Sequence, residues 1–211
     1  MADITRVVNG AAFEYGWRVP LHPAENRGYR ELYVSARAAQ KRLGRLGLAL
    51  DGTEAREPLD KAAQSLGKLL EELGPLTARH DLYGNMTAQG GGANFGFLRG
   101  AVLDRFLERN QALRLAVDDI EHVATLLAYL ASVGEARGDA KLPQFCRSWE
   151  RRTRRQEGGI RRAAVALGER PDDAIEPLDA SRAGRAAHRV AWAVGTMGEW
   201  TDRQVARRRR T

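Results

Sequence analysis

Thirty-three consecutive residues, 101–133, contain neither glycine nor proline. At about 1.5 Å of rise per residue they predict one helix of about 50 Å. Within it Phe106, Asn110, Leu113, Val117, Ile120, Ala124, Leu127 and Ala131 recur at alternating spacings of four and three. That is a heptad seam, and the polar Asn110 in it is the kind of residue that fixes register. Leu115, Val123, Leu126, Leu130 and Val133 widen the apolar surface beyond a seam, which puts this stretch in the middle of a bundle.

The flanking sequence supplies helices to surround it. Over residues 25–50, Tyr29, Leu32, Tyr33, Ala36, Ala39, Leu43, Leu46 and Leu50 share one face, and Asp51-Gly52 reads as a stop. Pro58 fits the first turn of a second helix carrying Leu59, Ala62, Leu66, Leu69, Leu70 and Leu73. Gly74-Pro75 is expected to interrupt it, leaving a short helical piece over 76–86. After a polar connection at 134–143, a further helix over 143–167 presents Phe145, Trp149, Ile160, Ala163, Ala164 and Leu167, with Gly158-Gly159 a place to bend or split. Pro171 and Pro177 make 169–180 a loop, and a last helix runs from about residue 181 to the terminal arginines.

The expected fold class is therefore all-α: a bundle of about five main helices around a long central one. Residues 1–24, with Gly10, Gly16, Pro20 and Pro23, form an irregular arm; 25–206 form one bundle domain; 207–211 are a basic tail. No apolar run reaches the roughly 18 residues of a membrane span, so integral membrane insertion is not expected. With one cysteine, Cys146, and no apolar leader, a cytoplasmic location is expected.

Charge is unevenly placed. Residues 1–140 hold 17 Lys+Arg against 18 Asp+Glu, whereas 141–211 hold 17 against 9. Arginines outnumber lysines 30 to 4 throughout, so the placement of the cations carries the information rather than their identity. On a helical wheel Arg30, Arg37, Lys41 and Arg45 fall together opposite the Tyr29/Leu43 face, and Arg147, Arg151, Arg154, Arg155, Arg161 and Arg162 fall opposite Trp149 and Ile160. Two helices with one-signed polar faces suit a phosphate backbone, in competition with being solvated surfaces balanced by neighbouring acids.

Catalytic signatures are sparse. Asp119 points among Leu115, Ala116, Val123, Leu126 and Leu130, where a carboxylate needs a partner. With His122 it offers an Asp-x-x-His candidate for metal ligation, but di-iron bundles use Glu-x-x-His on each of two helices and this chain has none. A buried Asp–Arg or Asp–Tyr pair is the favoured reading. Gly90-Gly91-Gly92-Ala93-Asn94-Phe95-Gly96 precedes a helix, yet Phe97 stands where a P-loop needs lysine. Cys146 beside Phe145 reads as a core thiol.

On the last helix Ala187, Val190, Ala191, Val194, Met197 and Val205 make the apolar side, and Trp192 falls opposite with Arg185, Arg189 and His188 near it. An indole there either packs on another segment or serves a partner, as a dimer anchor or a base-stacking platform. The sequence thus predicts a non-enzymatic helical interaction protein without a cofactor, self-associating through the seam or the last helix. Its alternatives are a nucleic-acid-binding accessory protein acting through the basic faces and tail, and a ligand- or metal-binding bundle centred on Asp119, His122, His80 and Tyr29 or Tyr33.

Overall fold

The computed structural model describes residues 21–78, 107–186 and 188–190. They form four long helices, α1 (Pro23–Ala49), α2 (Arg56–Ala78), α3 (Arg109–Ala136) and α4 (Lys141–Leu167), and a single turn, α5 (Pro171–Ala174). Residues 182–186 and 188–190 are helical as well, at the start of the predicted last helix. The protein is an all-α bundle. Among the described residues there is no β-strand, and one isolated antiparallel bridge joins Glu108 to Pro177.

Helix directions follow from which residues meet. Gly28 lies against Leu130 and Arg42 against Asp119, so α1 and α3 are antiparallel. Trp149 reaches Glu72 and Gly159 lies beside Pro58, so α2 and α4 are antiparallel too. Short connections at 50–55 and 137–140 make α1–α2 and α3–α4 antiparallel hairpins. Around the bundle the order is α1, α2, α4, α3, so α1 faces α4 and α2 faces α3 across the diagonals. The end of α2 and the start of α3 therefore lie at opposite ends of the bundle. This is the connectivity of bundles with one long crossover.

The core is the sum of four apolar stripes. Leu32, Leu43, Leu59, Leu69, Ile120, Val123, Leu127, Leu130 and Cys146 are at most 1 % exposed. The heptad seam is buried inside this chain's own bundle, from Leu113 through Val117, Ile120, Ala124 and Leu127 to Ala131. Asn110 is its polar member: its Nδ2 donates to the Ala164 carbonyl at 3.4 Å, tying α3 to α4. The second flank is less complete than its periodicity suggests. Val123, Leu126 and Leu130 are buried, but Leu115 is 38 % exposed and Val133 half-buried.

Several expected boundaries move, each for a local reason. The central helix begins at Arg109, not at residue 101. Glu108 is extended there (φ −74°, ψ 154°) and exchanges capping hydrogen bonds with Gln111, while Leu107 accepts from the Leu178 N–H. A neighbouring segment thus competes for the backbone at a position with no sequence stop signal; residues 101–106 lie outside the described residues. At its other end α3 runs through Gly134 to Ala136. A Cβ on Gly134 would come within 3.0 Å of the Pro143 ring, so this glycine permits close packing of α4 rather than ending the helix.

Gly74-Pro75 does not interrupt α2, which continues to Ala78. Thr77 Oγ1 donates to the carbonyls of Leu73 and Gly74 at 3.0 Å, giving that turn hydrogen bonds beside the proline. Nor does Gly158-Gly159 split α4. The arm ends earlier than residue 24, because Pro23 opens α1 and His22 caps it. Glu25 completes that capping box, accepting from the His22 N–H at 2.9 Å, and pairs with Arg137 at 3.1 Å while almost fully buried. The rest of the arm, the 79–106 connection with its glycine run, and the 207–211 tail lie outside the described residues. No described helix is long and apolar enough to cross a membrane.

Leu127→Ala should lower unfolding free energy by about 2–5 kcal/mol in a urea titration. Leu48→Ala, at a residue 68 % exposed on α1, should shift it by no more than about 0.5 kcal/mol.

Candidate functional site

The cations concentrate on two of the four helices. α4 carries eight Lys and Arg against two Glu, and α1 six against two, while α2 and α3 each hold more acids than bases. Because α1 and α4 occupy one diagonal, each cationic helix is flanked by two acidic ones. The shared edges are stitched accordingly. Arg147 pairs with Glu135, Arg161 with Glu121 at 3.9 Å, Arg42 with Asp119 at 3.0 Å, and His122 approaches Glu31 at 3.6 Å.

This settles the surroundings of Asp119. Its carboxylate accepts from the Arg42 guanidinium on α1, with side-chain exposures of 35 % and 14 %. The structure thus supplies the Asp–Arg pair favoured from sequence, at the bundle edge rather than fully within the core. His122 is half-exposed and faces Glu31, not Asp119. Among the described residues no three His, Cys, Asp or Glu side chains converge as a metal would require. Asp119, His122, Tyr29 and Tyr33 line neither of the two cavities described below; His80 lies outside the described residues.

The basic face of α4 divides in two. Its flank is neutralised within the helix: Arg154 donates to Glu150 at 2.9 Å and Arg161 to Glu157 at 2.6 Å, in the favourable order with glutamate four residues before arginine. Arg147 belongs to the same flank through Glu135. The row directly opposite the core differs. Arg151, Arg155 and Arg162 are exposed and form no ion pair or hydrogen bond with any carboxylate among the described residues. Eleven residue steps separate the first from the last, about 16 Å along the helix.

On α1 the corresponding face is more occupied. Arg30 donates to Asn26 at 2.8 Å, and Arg37 to the Tyr33 hydroxyl at 3.2 Å. Lys41 and Arg45 are exposed. In the last helix Arg185 donates to the Ala180 carbonyl and Arg189 to the Arg185 carbonyl; His188 is half-buried. Val190, assigned to that helix's apolar side, is 66 % exposed, and Trp192 lies outside the described residues. The seam from Leu113 to Ala131 is buried in this chain's own bundle.

Sequence reasoning missed the surroundings of Trp149. Its indole N–H donates to Glu72 Oε2 at 2.9 Å, joining α4 to α2. Arg152 lies over the ring with Cζ 4.3 Å from the centroid, and Phe145 sits 6.5 Å away at 52°. An open cleft of about 290 Å³ runs beside them, lined by Glu72, Lys141, Gln144, Phe145, Ser148 and Trp149. The i, i+3 spacing of Trp149 and Arg152 and the i, i+4 spacing of Phe145 and Trp149 were the available signals. A second cavity, of about 340 Å³, lies at the other end between the 50–55 connection, Arg109, Leu113, Leu167 and Arg170.

Cys146 is fully buried on α4, and burial, with a smaller contribution from Asp139, pushes its thiol from 9.0 up to about 12. It is not poised as a nucleophile. No protein-family model, curated protein or solved structure matches this chain.

Iodoacetamide at pH 8 should leave Cys146 unlabelled in the native protein and alkylate it fully in urea, as read by mass spectrometry. The thiol's contribution to stability is complete below pH 9.0 and is lost as pH climbs toward about 12, because the unfolded chain releases that proton first. A double-mutant cycle on Arg42→Met and Asp119→Asn should give a coupling of about 0.5–1 kcal/mol, modest because the pair is only partly buried.

Proposed function

We propose that this chain is a non-enzymatic binding protein whose working surface is the outer face of α4 and whose partner is the phosphate backbone of a nucleic acid. The observation that carries this reading is the row Arg151, Arg155 and Arg162. Each is exposed and without a carboxylate partner among the described residues, whereas their neighbours Arg147, Arg154 and Arg161 are all paired.

Exposed cations on a rigid helix gain little from one another and repel. Phosphates arriving at the row relieve that repulsion and release condensed counterions, which is the main source of affinity for a polyanion. The i, i+4 partners engage Arg154 and Arg161 beside the row and leave the row itself to the solvent and its ligand. A cytoplasmic setting goes with this reading: a single buried thiol suits a reducing compartment.

In fluorescence anisotropy titrations, affinity for a labelled oligonucleotide should fall linearly with the logarithm of salt concentration. Changing Arg151, Arg155 and Arg162 together to Ala should flatten that slope by about 2 on single strands, at about 0.7 per neutralised phosphate. Binding that ignores both salt and the triple substitution would overturn the proposal.

A further inference from the structure

Resting on the phosphate-binding reading, we infer that the preferred ligand is single-stranded, with a base stacked at the cleft between α2 and α4 that Phe145 and Trp149 line, beside Arg152. Three observations converge there. On the helical wheel, Gln144, Ser148, Arg151 and Arg155 form a continuous surface, so the cleft opens directly beside the arginine row. A strand whose phosphates follow Arg151 and Arg155 has its bases free to turn toward α2.

The cleft then offers what a base needs. The Arg152 guanidinium already lies over the Trp149 ring, and Arg152 is exposed, so its outer face can accept a further flat partner. Guanidinium planes and aromatic rings are the usual stacking platforms for unpaired bases. Phe145 is only partly buried against the core and contributes to the cleft wall. Gln144 and Ser148 at the rim are exposed and carry both donors and acceptors for a base edge. Trp149 itself is nearly fully buried and held by Glu72, so the platform is anchored and does not rearrange on binding.

A duplex keeps the faces of its bases stacked inside, with only their edges in the grooves, so it engages the arginine row without filling the cleft. The chemistry recognised is thus an unpaired base flanked by phosphates, in DNA or RNA. Sequence preference is not implied, because every base has a face to stack.

The test uses the full chain and three labelled ligands of equal length at the same salt concentration: oligothymidine, a duplex, and an oligomer of abasic sites with the same phosphates. Oligothymidine should bind about tenfold more tightly than the abasic strand and more tightly than the duplex. Phe145→Leu, which keeps the apolar volume but removes the ring, and Arg152→Ala should each weaken oligothymidine binding several-fold. Neither should change the affinity ratio of the duplex to the abasic strand, and Phe145→Leu should leave the salt slope intact. Equal binding of abasic and thymidine strands, or tighter duplex binding, would overturn this inference and leave the phosphate-binding reading standing. Absence of salt-dependent binding to all three would overturn both.

Discussion

Everything else in this molecule depends on covering α3. Its buried residues occupy about half of its circumference, from Ala112 and Leu113 to Leu130 and Ala131, and it has two principal neighbours. α4 lies along it as the second half of a hairpin, and α1 lies antiparallel on another side. Gly28 lets α1 approach closely enough that a Cβ there would meet Leu130 at 2.7 Å; Gly134 does the same for Pro143 of α4. Apolar burial of this kind is non-directional, so the approach distances are set by which side chains are missing as much as by those present.

Electrostatics refines that arrangement and also determines what remains for function. Three acids of α3, Asp119, Glu135 and Glu121, are drawn outward along its two edges by Arg42, Arg147 and Arg161. Surface pairs of this sort add little stability one by one. Their larger effect is geometric: carboxylates bonded along the flanks are not at the crest of α4. Glu150 and Glu157 are similarly turned to one side by Arg154 and Arg161. The cationic row at the crest is a consequence of where the acids have gone.

The bundle was largely legible in the chain because its stripes recur at helical spacing over long stretches. Tyr29 to Leu50 and Leu113 to Ala131 are buried as the periodicity requires. What escaped were features decided by a second segment. Nothing in residues 101–108 marks the start of α3, since the Leu107–Leu178 hydrogen bond and the Glu108–Pro177 bridge come from seventy residues downstream. Gly74-Pro75 and Gly158-Gly159 look like breaks, yet propensity is a weak prior when both sides of the helix are held by packing. At the candidate site, charge spacing identified the basic face of α4 but not its division into paired and unpaired rows, which depends on side-chain direction. Trp149 is buried as its spacing requires, and Arg152, three residues on, lies over its ring.

The crossover connectivity has a consequence for how the chain assembles. Each hairpin is local, with its helices joined by a few residues, so each can form early. Neither buries its inner face alone, because α1 needs α3 and α2 needs α4. Docking the two halves closes the 28 residues that lie between Ala78 and Leu107. Loop-closure entropy rises only logarithmically, by about 0.6 kcal/mol for each doubling of length. Residues added to or removed from the stretch that joins the halves therefore change the cost of closing it little.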